Sequence, residues 1–141
     1  MILGSGVDLI EVARFEREAA RRGQSLAEEL FSAGELAWCR RRRRVAKGYA
    51  MAWAAKEALF KALGTGKVGR MAWSDIEVAW PEGECLPTMA LAGETAEVAG
   101  GFFHAKALVI GRGEHGEQAG PGRRSEDRQF GTGQVLFAEA Q

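Results

Sequence analysis

Two carboxylates, two lysines and a glycine loop are the side chains and backbone of this sequence with chemistry to offer together. Asp8 closes the glycine-containing segment Gly4-Ser5-Gly6-Val7-Asp8, and Glu57 stands in the middle of an alanine-rich run. Oxygen ligands from two separate elements, completed by substrate phosphates and waters, suit magnesium, a hard cation that seldom needs a full protein cage. Lys56 and Lys61 bracket Glu57, and Gly64-Thr65-Gly66 follows directly on the same run. Lysines bind phosphates as point charges, and a glycine loop presents backbone amides to them. That loop lies at the negative end of a helix dipole, so a phosphate there is held mainly by side chains and loop amides. Plain structural roles also fit these residues: Glu57 paired with Lys61 at i,i+4, and Asp8 capping a helix that starts at Glu11. The sequence contains neither a Walker motif nor a dinucleotide fingerprint.

The elements that must position these groups follow from patterning. Ile2 to Ile10 reads as a strand whose two glycines mark a bulge or a close backbone approach. Glu11 to Arg22 has helical spacing, with Val12, Phe15 and Ala19 on one side and Gly23 as its stop. Ser32-Ala33-Gly34-Glu35 has the form of a capping box, which starts a helix through Leu36, Trp38 and Cys39 into the run Arg40 to Arg44. The longest helix is Gly48 to Leu63, free of proline and rich in alanine, the best helix former. Its small residues Ala54, Ala55, Ala58 and Ala62 let another backbone come close, so the helix is expected to be central.

Beyond the glycine loop the period changes. Trp73 to Trp80 alternates as a half-buried strand, Pro87 to Leu91 forms a return strand, and Gly93 to Val98 a short helix. Phe102 to Ile110 reads as a last buried strand, which makes the pattern α+β. The expected division is a domain over residues 1–110 and a glycine-rich, flexible tail over 111–141, with Val135-Leu136-Phe137 docking as a short edge strand.

Composition bounds the class. The 141 residues, 46% hydrophobic, suffice for one domain with a real core. Nineteen bases balance nineteen acids, which argues against a protein that coats nucleic acid, and no apolar run is long enough to span a membrane. The balance is uneven by position. Arg14 to Lys47 holds ten bases and five acids, whereas Asp75 to Glu97 holds six carboxylates and no base. Such polarity steers a charged partner to one face. Cys39 and Cys85 lack metal-ligand spacing and are expected as reduced thiols of a cytoplasmic protein, and the N-terminus has no export signal.

Three blocks then resemble one family. Gly4-Ser5-Gly6-Val7-Asp8-Leu9-Ile10-Glu11 with Arg14, Phe31-Ser32 with Glu35, and Ala54-Ala55-Lys56-Glu57-Ala58-Leu59-Phe60-Lys61-Ala62-Leu63-Gly64-Thr65-Gly66 are similar to the holo-acyl-carrier-protein-synthase type of 4'-phosphopantetheinyl transferase. Asp75-Ile76-Glu77-Val78 follows at the expected distance, and the matching pieces run in order from Met1 to Ile110.

The resemblance implies a compact α+β fold with an antiparallel sheet packed on a long central helix. It implies transfer of 4'-phosphopantetheine from coenzyme A to a serine of an apo-acyl carrier protein, releasing adenosine 3',5'-bisphosphate. Asp8 and Glu57 then bind magnesium, and Lys56, Lys61 and Gly64-Thr65-Gly66 surround the phosphates and nucleotide. Glu57, Asp8 and Lys61 form the catalytic set, with Glu57 helping to deprotonate the serine through water. Arg14 contacts the acidic carrier, with Arg21 of the same basic region expected beside it, and the assembly is a cytoplasmic trimer with sites between subunits. Two positions depart from the family: Trp53 replaces an arginine, and Glu97-Val98-Ala99-Gly100 stands where Ser-x-x-His is usual. His104 is expected as a partly buried strand histidine. The alternative reading is a catalytically impaired homologue that binds coenzyme A or the carrier protein.

Overall fold

In the computed structural model the described residues are 2–80, 87–100, 105–111 and 130–138. The chain opens with strand β1 (Ile2–Glu11), followed by helices α1 (Val12–Arg22), α2 (Gln24–Leu30), α3 (Ala33–Arg40) and α4 (Val45–Ala62). A 3₁₀ turn at Trp73–Asp75 leads into β2 (Ile76–Ala79), then β3 (Thr88–Leu91), α5 (Gly93–Val98), β4 (Ala105–Gly111) and β5 (Phe130–Ala138). All five strands pair antiparallel, in the order β1-β5-β4-β3-β2. The α+β fold with its long helix is therefore as the sequence led one to expect.

Helix α4 lies between two apolar clusters. Its Ala55, Ala58, Leu59 and Phe60 pack with Met71, Ile76, Val78 and Met89. Its Ala50 and Ala52 pack with Val12 and Phe15 of α1, Leu26 and Leu30 of α2, and Phe31. Small side chains keep that helix thin enough to be buried on several sides. At Gly48 the approach of α3 is so close that an added Cβ would stand 3.3 Å from Cys39 Sγ. Burial pushes the Cys39 thiol up to about 12, which leaves it an inert, protonated core group.

Several expectations are corrected. Residues 130–138 are not a short edge strand: β5 pairs with β1 on one side and β4 on the other, so the sheet extends past residue 110. Glycine and polar residues disguised this strand, because its formation depends on partners from both sides rather than on its own propensity. Residues 112–129, the body of the expected tail, lie outside the described residues, as do His104, His115 and Cys85. Helix α3 stops at Arg40, the next arginines form the turn, and α4 starts at Val45 rather than Gly48. The sequence reading missed α2. Gly23 turns the chain with φ 68° and a new helix begins at once, its Leu26 and Leu30 buried one turn apart. Finally, the expected strand from Trp73 begins only at Ile76, after the 3₁₀ turn.

The capping box at Ser32 forms as read. The Glu35 amide donates to Ser32 Oγ at 3.2 Å, and the Ser32 amide to Glu35 Oε2 at 2.7 Å. Ser32→Ala removes one half of that exchange and is expected to cost about 1 kcal/mol. A lowered urea midpoint with an unchanged slope is the measurement that checks it.

Candidate active site

The glycine at position 6 builds this site. The β1 residues Gly6, Asp8 and Ile10 share the face toward α4, while Val7 and Leu9 face the other way and are 55% and 56% exposed. A Cβ on Gly6 would stand 2.0 Å from the Ala58 carbonyl oxygen, so strand and helix touch backbone to backbone there. The glycine pair thus serves both expected uses, because the β1–β5 register also shifts between Ile2 and Gly4. Two residues further along the strand, this contact delivers Asp8 to the C-terminal half of α4. Its register partner on β5 is Gly133.

Lys61 meets Asp8 directly. Its Nζ donates to Asp8 Oδ1 at 2.6 Å and to the Val7 carbonyl at 3.2 Å. Asp8 therefore does not cap α1, whose N-cap residue Glu11 makes no side-chain cap bond. Glu57, one turn before Lys61, is half-buried, and its carboxyl is held above the usual range. Burial is the main cause and the negative charge of Asp8 the next, with Lys61 acting in the opposite sense. Asp8, Glu57 and Lys61 thus form one electrostatic cluster drawn from two elements.

Through Asp8 and Glu57 the cluster borders a cleft of about 910 Å³, with Lys61 set behind Asp8 and outside the lining. Asp8 and Glu57 line it with Arg14 and Arg22 of α1, and Trp53 and Trp73 form an aromatic wall with ring centroids 4.3 Å apart. Sequence reading missed Arg22 and Trp73 as lining residues. A signal for the first existed: Arg14, Glu18 and Arg22 recur every four residues and so share one face of α1. Trp53 introduces no positive charge, and the lining arginines come from α1 rather than from the run Arg40 to Arg44. Lys47 stands in the first turn of α4, ten residues before Glu57 and about 15 Å away along the axis.

The other expected residues fall elsewhere. Gly64 and Gly66 take positive φ, 75° and 66°, and the exposed loop they form follows α4 just beyond Lys61. Arg14 is exposed at the cleft, whereas exposed Arg21 pairs with Glu18 at 2.5 Å. The Glu97 to Gly100 segment ends α5 and supplies no group to the cleft. Lys56, expected beside phosphate, is fully buried. Its Nζ pairs with Glu35 Oε2 at 2.7 Å, and Glu35 is buried as well. Burial pushes the Glu35 carboxyl up and the Lys56 amine down, while each partner's charge opposes that drift.

A glycine-bearing strand, a helix carrying Lys-Glu-x-x-x-Lys, and a cleft between them also define a known class of protein. Residues 4–106 match the model of the 4'-phosphopantetheinyl transferase superfamily. The chain is 46% identical over 98 residues to a holo-[acyl-carrier-protein] synthase of Methylobacterium radiotolerans, covering 69% of this chain and 71% of that one. It is 38% identical over 102 residues to one of Koribacter versatilis, covering 72% and 81%. In fold it resembles the synthase of Neisseria meningitidis, with a TM-score of 0.75, 21% identity and coverage of 99% and 100%. The synthase of Helicobacter pylori in complex with coenzyme A gives a TM-score of 0.71, 22% identity and coverage of 95% and 99%. The chain belongs to the 4'-phosphopantetheinyl transferase superfamily.

Proposed function

We propose that this protein transfers 4'-phosphopantetheine from coenzyme A to a serine of an apo-acyl carrier protein, as its curated relatives are named for doing. The observation that carries the reading is that Asp8 and Glu57 line the cleft while Lys61 bonds to Asp8 beside it. In the reaction the serine oxygen bonds to the phosphorus that bears pantetheine, and the pyrophosphate P–O bond breaks. Adenosine 3',5'-bisphosphate leaves with the bond electrons. Glu57 accepts the serine proton through water, a role suited to a half-buried carboxyl that lines the cleft. Lys61 neutralises charge that develops on the phosphates. The Gly64-Thr65-Gly66 amides, just past Lys61, hold the nucleotide side.

Asp8 and Glu57 are the residues that would hold magnesium. Burial first and the negative charge of Asp8 second raise Glu57, and a divalent cation held by the two carboxylates would relieve that repulsion. When bound, the metal supplies positive charge to the pyrophosphate. We assign the work to the cytoplasm and to fatty acid biosynthesis. A trimer with sites between subunits is supported by the exposed Val7 and Leu9 on the outer face of β1, which a second copy would cover.

The deciding experiment incubates the protein with coenzyme A, magnesium and apo-carrier protein and weighs the carrier. A gain of one 4'-phosphopantetheine group is expected. No gain with several carriers, alongside measurable coenzyme A binding, would establish the binding-module alternative instead. For docking, the acidic carrier meets α1. Arg14→Glu is expected to raise the carrier KM about tenfold at low salt and less at high salt. Arg21→Glu should do less, because Glu18 already neutralises that guanidinium.

A further inference from the structure

Lys56 is fully buried, among the largest side chains so enclosed in the described residues. Its ammonium has three protons and three acceptors around it: the Leu30 carbonyl at 2.7 Å, Glu35 Oε2 at 2.7 Å and the Trp73 carbonyl at 3.0 Å. With those three bonds made, no proton remains for a phosphate. The choice of partners is informative. Leu30 and Trp73 both line the cleft, and so does Glu57, the residue next to Lys56 on α4. The Leu30 carbonyl ends α2 and would otherwise lack a helical partner. Trp73 opens the 3₁₀ turn and forms the aromatic wall with Trp53.

The far end of this connection is equally fixed. Glu35 Oε2 accepts from the Ser32 amide at 2.7 Å, and Oε1 accepts from the Val78 amide at 2.9 Å. One buried ion pair therefore joins α2, α3, α4, the 3₁₀ turn and β2. Lys56 and Glu35 themselves stand behind the cleft wall that Leu30 and Trp73 line.

We propose that Lys56 is a positioning residue, whose ammonium braces the end of α2 and the 3₁₀ turn against α4 and so sets where Glu57 and the Trp53–Trp73 wall stand. It touches no substrate, and of the two lysines only Lys61, half exposed and bonded to Asp8, is left to meet the phosphates. This assignment rests on the transfer reading of the cleft, and it divides two residues that sequence spacing treats alike.

The test uses Lys56→Met, Glu35→Gln and the double variant in the full chain. Lys56→Met leaves a buried carboxylate without its counter-ion, and Glu35→Gln in the same chain removes that stray charge. For Lys56→Met, kcat for carrier modification is expected to fall about 10- to 100-fold, the scale of a small misplacement of reacting groups. The dissociation constant for coenzyme A, by calorimetry, should stay within about threefold of the parent, a binding change of under 1 kcal/mol. The double variant should regain at least about fivefold in kcat over Lys56→Met, because contacting residues couple.

The near-ultraviolet circular dichroism of the ligand-free protein, with four tryptophans in the chain, should also change in Lys56→Met. A direct phosphate contact would behave differently. Coenzyme A would bind at least tenfold more weakly, Glu35→Gln would restore nothing, and the ligand-free spectrum would keep its shape. That pattern overturns the proposal. Where Lys56→Met does not fold, the double variant decides: reduced kcat with unchanged affinity supports the brace, and weakened affinity with unchanged kcat refutes it. Failure of the parent protein to modify any carrier would remove the transfer reading instead, and the spectrum would still report on the brace.

Discussion

Glu57→Gln is expected to slow 4'-phosphopantetheine transfer by about a thousandfold, with a thermal midpoint close to that of the parent. The substitution keeps the side-chain shape and removes only the ionisable oxygen. General-base help contributes about 10²–10⁴-fold to such reactions, and one electrostatic contact to a reacting centre about 10²–10³-fold. Glu57 is assigned a share in both, so the upper part of these ranges applies. Little stability depends on the charge, since burial and the nearby Asp8 already raise its proton affinity. Asp8→Ala should be as damaging to transfer, and it also releases Lys61, whose Nζ now lies 2.6 Å from Asp8 Oδ1. Both variants are checked by the rate at which carrier mass increases under saturating coenzyme A. A rate within tenfold of the parent for Glu57→Gln would end its assignment as the base.

Gly6→Ala should damage the fold itself. The new Cβ would stand 2.0 Å from the Ala58 carbonyl oxygen and 2.6 Å from the Ala62 amide nitrogen. Both atoms belong to the backbone of α4, and neither can rotate away. Overpacking a core costs about 1–3 kcal/mol when side chains can adjust. Here they cannot, so about 3 kcal/mol or more is expected, a large part of the 5–15 kcal/mol that a domain possesses. Urea unfolding followed by far-ultraviolet circular dichroism measures it. Whatever fraction still folds must hold β1 further from α4, which withdraws Asp8 from Glu57 and Lys61. Transfer should therefore fall in the folded fraction as well. Retention of both stability and rate would contradict the close approach at Gly6.

The helices carrying local signals were legible in the sequence. Ser32 and Glu35 announced the start of α3 because a capping box is made by residues three apart. Alanine content and the absence of proline announced α4, although its first turn was missed and the arginine turn before it was read as helix. Gly93–Val98 formed as read. Strand β5 was misread because its stability comes from β1 and β4, which are more than a dozen residues away in sequence. Helix α2 was missed because it is short and follows Gly23 without a spacer.

The site divides in the same way. Residue types, with the family resemblance they carry, picked out Asp8, Glu57 and Lys61 before any coordinates, since carboxylates and lysines at those spacings suit phosphate and magnesium chemistry. Spacing could not decide which lysine is sealed in the core and which stays exposed. Lys56 and Lys61 look interchangeable beside Glu57 along the chain, yet one ends in a sealed ion pair with Glu35 and the other reaches Asp8 across to β1. Helical rotation sets the direction of each side chain, but packing on α4 decides which direction is inside. The sequence by itself determined the α+β class, the long helix and the set of groups able to do chemistry. Tertiary structure alone decided the partners of each charge, the interior place of β5 and the cleft walls, because those depend on contacts between residues far apart in the chain.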